Sequence, residues 1–160
     1  MSTADRPDPQ AGPRPVRLRG HHLLCILTYV GKGYSAGFVA AMDAVVDRIR
    51  AGAPVELVDG PDDICAALMD EAAEPHCVLA SAADRDVKAI AAMAAVLHVR
   101  PAPGGRLGPF PLEAARVAFR TGATREACRG CPWSDLCTAV AETGFAGTRL
   151  AATTGALRPR

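Results

Sequence analysis

The sequence predicts a mainly α-helical protein with a small two-stranded β element, an α+β chain folded as a single compact domain. Three observations carry this. Phe38, Met42, Val45, Val46 and Ile49 recur at helical spacing, and similar stripes return later in the chain. Only two short runs, Pro15 to Arg19 and Val55 to Val58, read as strands. The 160 residues are 49% hydrophobic and 22% charged, a balance that suits one domain able to bury a core.

The elements follow in order. Residues 1–15 carry Pro7, Pro9, Pro13 and Pro15 among charges and predict a disordered leader. The domain is expected over 16–150, with a flexible tail over 151–160. Pro15-Val16-Arg17-Leu18-Arg19 alternates apolar and basic and ends at Gly20, and His21 to Val30 is a compact apolar helix stopped by Gly31-Lys32-Gly33. Ser35 caps the next helix, which Ala51-Gly52-Ala53-Pro54 ends. The second strand follows it, so the two strands enclose a helical crossover and are expected to pair in parallel. Asp59-Gly60-Pro61-Asp62 is a turn. A helix is predicted from Asp84 to Leu97 with Val87, Ile90, Ala94 and Leu97 on its buried side. A Pro/Gly-rich loop spans Arg100 to Pro111, and further helices are expected over Leu112 to Thr121 and Ser134 to Glu142.

Composition excludes several function classes. Eighteen Lys+Arg against 17 Asp+Glu give +1, which argues against a broad nucleic-acid or acidic-lipid surface. The longest apolar stretch, Leu23 to Val30, falls far short of the about twenty residues that span a membrane. With no signal peptide recognisable, a cytoplasmic location is expected. Charge is segregated: seven acids and no base lie between Glu56 and Glu74, and six arginines with two glutamates lie between Arg100 and Arg129. These stretches are read as mutually neutralising or solvated.

In a reducing compartment, clustered cysteines point to metal before disulfide. Cys128-x2-Cys131-x5-Cys137 is the strongest signal. Two residues between thiols suit a tight turn that aims both sulfurs at one centre, with Gly130 permitting the backbone and Pro132 following as in cluster-binding loops. If Ser134 caps the last helix, Cys137 lies in its first turn, where the dipole favours thiolate. Arg125 and Arg129 act in the same sense, and Trp133 is placed to cover the centre. Three ligands leave a four-coordinate site open, so the fourth must come from Cys25, Cys65 or Cys77. Ligand spacing alone is similar to that of RecB-type iron–sulfur nucleases, whose acidic motif is not found here. Structural zinc would use the same ligands, though it commonly has two C-x2-C knuckles where this chain has one.

His21-His22-Leu23-Leu24-Cys25 is the second constellation. On a helix, at least one histidine shares a face with Cys25. Either histidine can ligate metal, pass a proton or rest in the core. Asp62 and Asp63 are read first as helix caps and second as ligands, with Cys65 beside them and His76-Cys77 further on. The candidate metal ligands are thus His21, His22, Cys25, Cys65, Cys77, Cys128, Cys131 and Cys137.

Arg19-Gly-His-His-Leu-Leu-Cys25, Gly31-Lys-Gly-Tyr-Ser35, Val58-Asp-Gly-Pro-Asp-Asp-Ile-Cys65, His76-Cys77, the Cys128/Cys131/Trp133/Cys137 segment and Gly144-Phe-Ala-Gly-Thr148 together resemble domain of unknown function family 1284. The resemblance runs from about Arg17 to Leu150. It implies a small bacterial or archaeal protein suspected of binding an iron–sulfur centre, with no assigned activity. Some relatives carry a Cys-Pro pair where this chain has Leu68-Met69, so a single cluster is expected here rather than two.

The expected function is therefore that of a [4Fe–4S] protein, with Cys25, Cys128, Cys131 and Cys137 as ligands, engaged in electron transfer or redox sensing with a redox protein partner. The rivals are a structural Zn²⁺ module that binds a macromolecule and a cluster-dependent enzyme using His21 and His22 beside Asp63.

Overall fold

A computed structural model of the chain describes residues 12–71, 78–97, 104–107 and 110–150. Its short sheet begins with Val16–Leu18 (β1) and Val55–Leu57 (β2), which pair in parallel with Val16 opposite Val55 and Leu18 opposite Leu57. Val16, Leu18, Val55 and Leu57 are all buried, while Arg17 and Glu56 point the other way, as a pleat of period two requires. A third strand, Arg106–Leu107 (β3), lies antiparallel on the free edge of β2. The sheet therefore has three strands where the sequence predicts two. Two residues flanked by glycine and proline are too short to show alternation, and only pairing with β2 defines them as a strand.

Helices supply most of the fold: His22–Thr28 (α1), Ala36–Arg50 (α2), Ala66–Glu71 (α3), Ala80–Leu97 (α4), Leu112–Arg120 (α5) and Ser134–Glu142 (α6), with a 3₁₀ turn at Arg125–Cys128. Ser35 caps α2 by accepting from the Phe38 N–H at 3.1 Å, and Phe38, Met42, Val45 and Val46 form its buried stripe. Helix α3 follows Asp62 and Asp63, as their reading as helix caps implies, although the sequence sets no bounds for it. The α6 cap also differs from expectation: Trp133 occupies that position, no side chain caps the helix, and Ser134 is its first residue. Cys137 still falls in the first turn, its N–H bonded to the Trp133 carbonyl at 2.9 Å.

Helix α1 is the centre of the molecule. Leu23 and Ile26 pack into a core shared with β1, β2 and α2. Leu24 and Leu27 face a second core shared with α4, α5 and α6. A helix apolar on so many sides must be buried, and each of these side chains contributes about 2 kcal/mol through burial. Arg116 of α5 ties the end of the domain to α1: it donates to the carbonyls of Leu27 and Leu150 and to Thr148 Oγ1.

Helix α4 departs from the predicted phase. Ala82, Asp86, Ala89 and Met93 are buried, whereas Val87 is 68% exposed. The helix turns an aspartate inward in place of a valine because Asp86 has the buried Arg19 guanidinium and the His21 N–H groups as partners. Of the leader expected over 1–15, only residues 12–15 are described. His76, Cys77, His98 and the 151–160 tail lie outside the described residues.

Candidate metal centre

The turn after β1 sets the first half of the site. A Cβ on Gly20 would lie 2.6 Å from the Asp86 carbonyl oxygen and 2.9 Å from Ile90 Cγ1, so only glycine lets this corner reach α4. That approach seats Arg19 and His21 on Asp86. Arg19 is 1% exposed and donates from Nε at 2.9 and 3.2 Å to the two Asp86 oxygens, with Nη2 at 2.9 Å. His21 adds its backbone N–H at 3.1 Å and its Nδ1 at 2.7 Å. Burial works against the Asp86 charge, but the bonds from His21 and Arg19 outweigh it and hold the carboxyl below its ordinary range. Burial also pushes the His21 imidazole down, against the pull of Asp86.

A second histidine–carboxylate pair stands beside the first. His22 Nδ1 lies 2.6 Å from Asp62 Oδ2, and the two imidazole rings meet edge-on at 4.4 Å. Asp62 is a cap as well, its Oδ1 accepting from the N–H groups of Ile64 and Cys65 and its Oδ2 from that of Arg19. Burial alone raises the Asp62 pKa; His22 and these donors override it and bring it down to about 2. Neighbouring Asp63 accepts from the Arg17 N–H at 2.9 Å. An ionised carboxylate only accepts, so in both pairs Nδ1 carries the proton and donates. At neutral pH the His21 ring, its pKa lowered by burial, then leaves Nε2 unprotonated, the arrangement in which a carboxylate orients a histidine for a metal or a proton.

The thiols form the second half. Cys25 of α1 and Cys128, Cys131 and Cys137 line one cavity of about 100 Å³, with His21 and His22 also in its wall. The Cys128–Cys131 turn closes through the Cys131 N–H to the Cys128 carbonyl at 3.0 Å, with Gly130 at φ +72°. Burial pushes all of Cys25, Cys128 and Cys137 up, and for Cys25 the neighbouring thiols push in the same direction. Three groups oppose this: Arg125 and Arg85 beside Cys128, and Thr28, whose hydroxyl donates to Cys137 Sγ at 3.1 Å. Arg125 also has a buried Nε with no hydrogen-bond partner among the described residues. Trp133 and Tyr34 meet edge-on at 5.4 Å, Tyr34 and Phe38 at 5.3 Å, and the three aromatics line the same cavity.

Cys65 belongs elsewhere. It is fully buried, 3.8 Å from Arg19 Nη1, and its sulfur joins His22 and Asp62 in a trio whose ligand atoms lie within 4.8 Å of one another, close enough to hold a metal ion. Sequence reasoning found both histidines and the thiols. It missed Asp86, Thr28, Tyr34 and Arg85. Asp86 had one available signal, a charged residue in phase with Ala82, Ala89 and Met93 on an apolar helix face.

The fold and this site define a small α+β protein with a candidate metal centre. The model of the family described as protein of unknown function (DUF1284) matches residues 33–137, and the chain belongs to that family. The match takes in Cys65, Cys77, Cys128, Cys131 and Cys137, and stops short of His21, His22 and Cys25. No curated protein and no solved structure is detectably similar to the chain. Among the described residues no helix is long and apolar enough to cross a membrane.

Proposed function

We propose that the protein binds one [4Fe–4S] cluster through Cys25, Cys128, Cys131 and Cys137 and serves in one-electron transfer or redox sensing. The observation that carries this is four thiols, from segments more than a hundred residues apart, around one cavity. A cavity of about 100 Å³ has room for several atoms, since one water needs roughly 10–15 Å³ of such space. A lone zinc would draw its sulfurs much closer, to about 3.8 Å apart for tetrahedral bonds of 2.3 Å. Among the described residues, the trio gathered within 4.8 Å is His22, Asp62 and Cys65, not a set of thiols.

The surroundings suit an anionic centre. Arg125 brings positive charge and an unsatisfied donor, and Thr28 donates to a ligand sulfur; such hydrogen bonds help set a cluster's potential. Trp133, Tyr34 and Phe38 limit water. When bound, the cluster would supply a one-electron couple. The His22–Asp62–Cys65 trio is a weaker candidate for metal, because four hydrogen bonds already occupy the Asp62 oxygens.

Absorption spectra of anaerobically purified variants test the assignment. Cys131→Ala is expected to lose the visible cluster absorption, and Cys65→Ala to retain it. An unchanged brown Cys131→Ala protein contradicts the ligand set. One zinc per chain and no iron favours the rival, a structural zinc module.

A further inference from the structure

A second cavity, of about 230 Å³, shares its wall with the thiol cavity. Arg19, His21, His22, Ser81 and Arg85 supply its polar lining together with Tyr34, and no carboxylate lines it among the described residues. Arg19 is neutralised from behind by Asp86. Arg85 is not: its neighbour Asp84 pairs with Lys88 at 2.9 Å, Asp86 is held by Arg19 and His21, and Arg85 has no carboxylate partner among the described residues. Ser81 adds a hydroxyl in the first turn of α4, an 18-residue helix with no acid there to neutralise its positive end.

We propose that this second cavity is a binding site for a small oxyanion, a carboxylate or phosphate compound, gripped by Arg85 and oriented by the Ser81 hydroxyl. A planar guanidinium matches the paired oxygens of either group. A cavity that holds the Arg85 guanidinium and the Ser81 hydroxyl, with no carboxylate in its lining among the described residues, favours negative charge. The volume limits the ligand to a small molecule, because pockets for drug-sized ligands are larger, about 300–1,000 Å³. Arg85 lines both cavities, which places its charge where the two meet. An anion held there lies against the thiol site, with two carboxylate-oriented histidines between them. The anion site does not depend on which metal the thiols take.

Calorimetric titration of the anaerobically isolated protein with inorganic phosphate, and separately with malonate, tests this. Saturable binding of at least one is expected, weakened at least tenfold in Arg85→Gln. It should be unchanged in Arg50→Gln, an exposed arginine at the end of α2 outside both cavities. Arg85→Lys keeps a charge near Cys128; it should retain wild-type metal content and still lose several-fold in affinity. Metal content and anion binding are thus read separately. Wild-type affinity in Arg85→Gln overturns the site, whatever its metal content, as does the absence of saturable binding by either anion. The stronger of the two probes distinguishes a phosphate from a carboxylate ligand.

Discussion

Replacing Asp86 by asparagine keeps the side chain's shape and removes its charge. Arg19, 1% exposed, then loses the charge with which its guanidinium makes three contacts of 2.9 to 3.2 Å. Breaking a buried pair from one side costs about 3–5 kcal/mol, because the remaining charge is desolvated without compensation. That is a large part of a typical stability of about 5–15 kcal/mol. With a urea m-value of about 2 kcal/mol per molar, the unfolding midpoint should fall by roughly 2 M. Asp84→Asn is the internal control, since the Lys88–Asp84 pair has the same 2.9 Å spacing but is 40% and 63% exposed. It should change stability by less than about 0.5 kcal/mol. Adding Arg19→Met to Asp86→Asn should restore part of the loss, because the penalty belongs to the buried cation that loses Asp86. Equal midpoints for Asp86→Asn and Asp84→Asn would refute the idea that this ion pair anchors the β1–α1 corner to α4.

Three further outcomes follow from the same geometry. Asp62 has a folded pKa of about 2 against 3.8, so it stabilises the fold above pH about 4 and loses that contribution as pH falls through 2; Asp62→Asn should remove about 2 kcal/mol at pH 7 and flatten the acid limb of stability against pH. Gly20→Ala must move a backbone oxygen 2.6 Å from the new methyl and should cost about 1–3 kcal/mol, read as a lower thermal midpoint. Thr28→Val removes the hydroxyl that donates to Cys137 at 3.1 Å and should make the metal-loaded protein's reduction potential more negative with the metal content unchanged; an unaltered potential argues against Cys137 as a ligand.

Local signals made part of this fold legible. The Ser35 cap and the stripe from Phe38 define α2, and the alternation in Val16-Arg17-Leu18 and Val55-Glu56-Leu57 predicts a parallel pair that the structure contains. The late cysteines also reveal themselves locally, because a C-x2-C turn needs only Gly130 in a left-handed conformation. What escaped was tertiary. β3 is a strand only because β2 offers an edge. The phase of α4 follows Asp86, whose partners lie 65 and 67 residues away, and hydrophobicity placed Val87 inside instead. Spacing alone does not choose among Cys25, Cys65 and Cys77, and only the neighbouring His21-His22 pair favours Cys25; Cys25 shares the cavity of the late thiols because α1 packs against α6, a contact that no sequence interval encodes. Asp62 and Asp63 were read foremost as caps; Asp62 is one, and also holds His22, a role set by the fold.

Iron and acid-labile sulfide, quantified together with electron paramagnetic resonance on protein kept free of oxygen, test the central claim most directly. The account predicts four irons and four sulfides per chain with a cluster resonance on one-electron reduction or oxidation, all lost when Cys25 is replaced by alanine. Protein that carries one zinc and no sulfide, or a Cys25→Ala variant with its full iron complement, would contradict it.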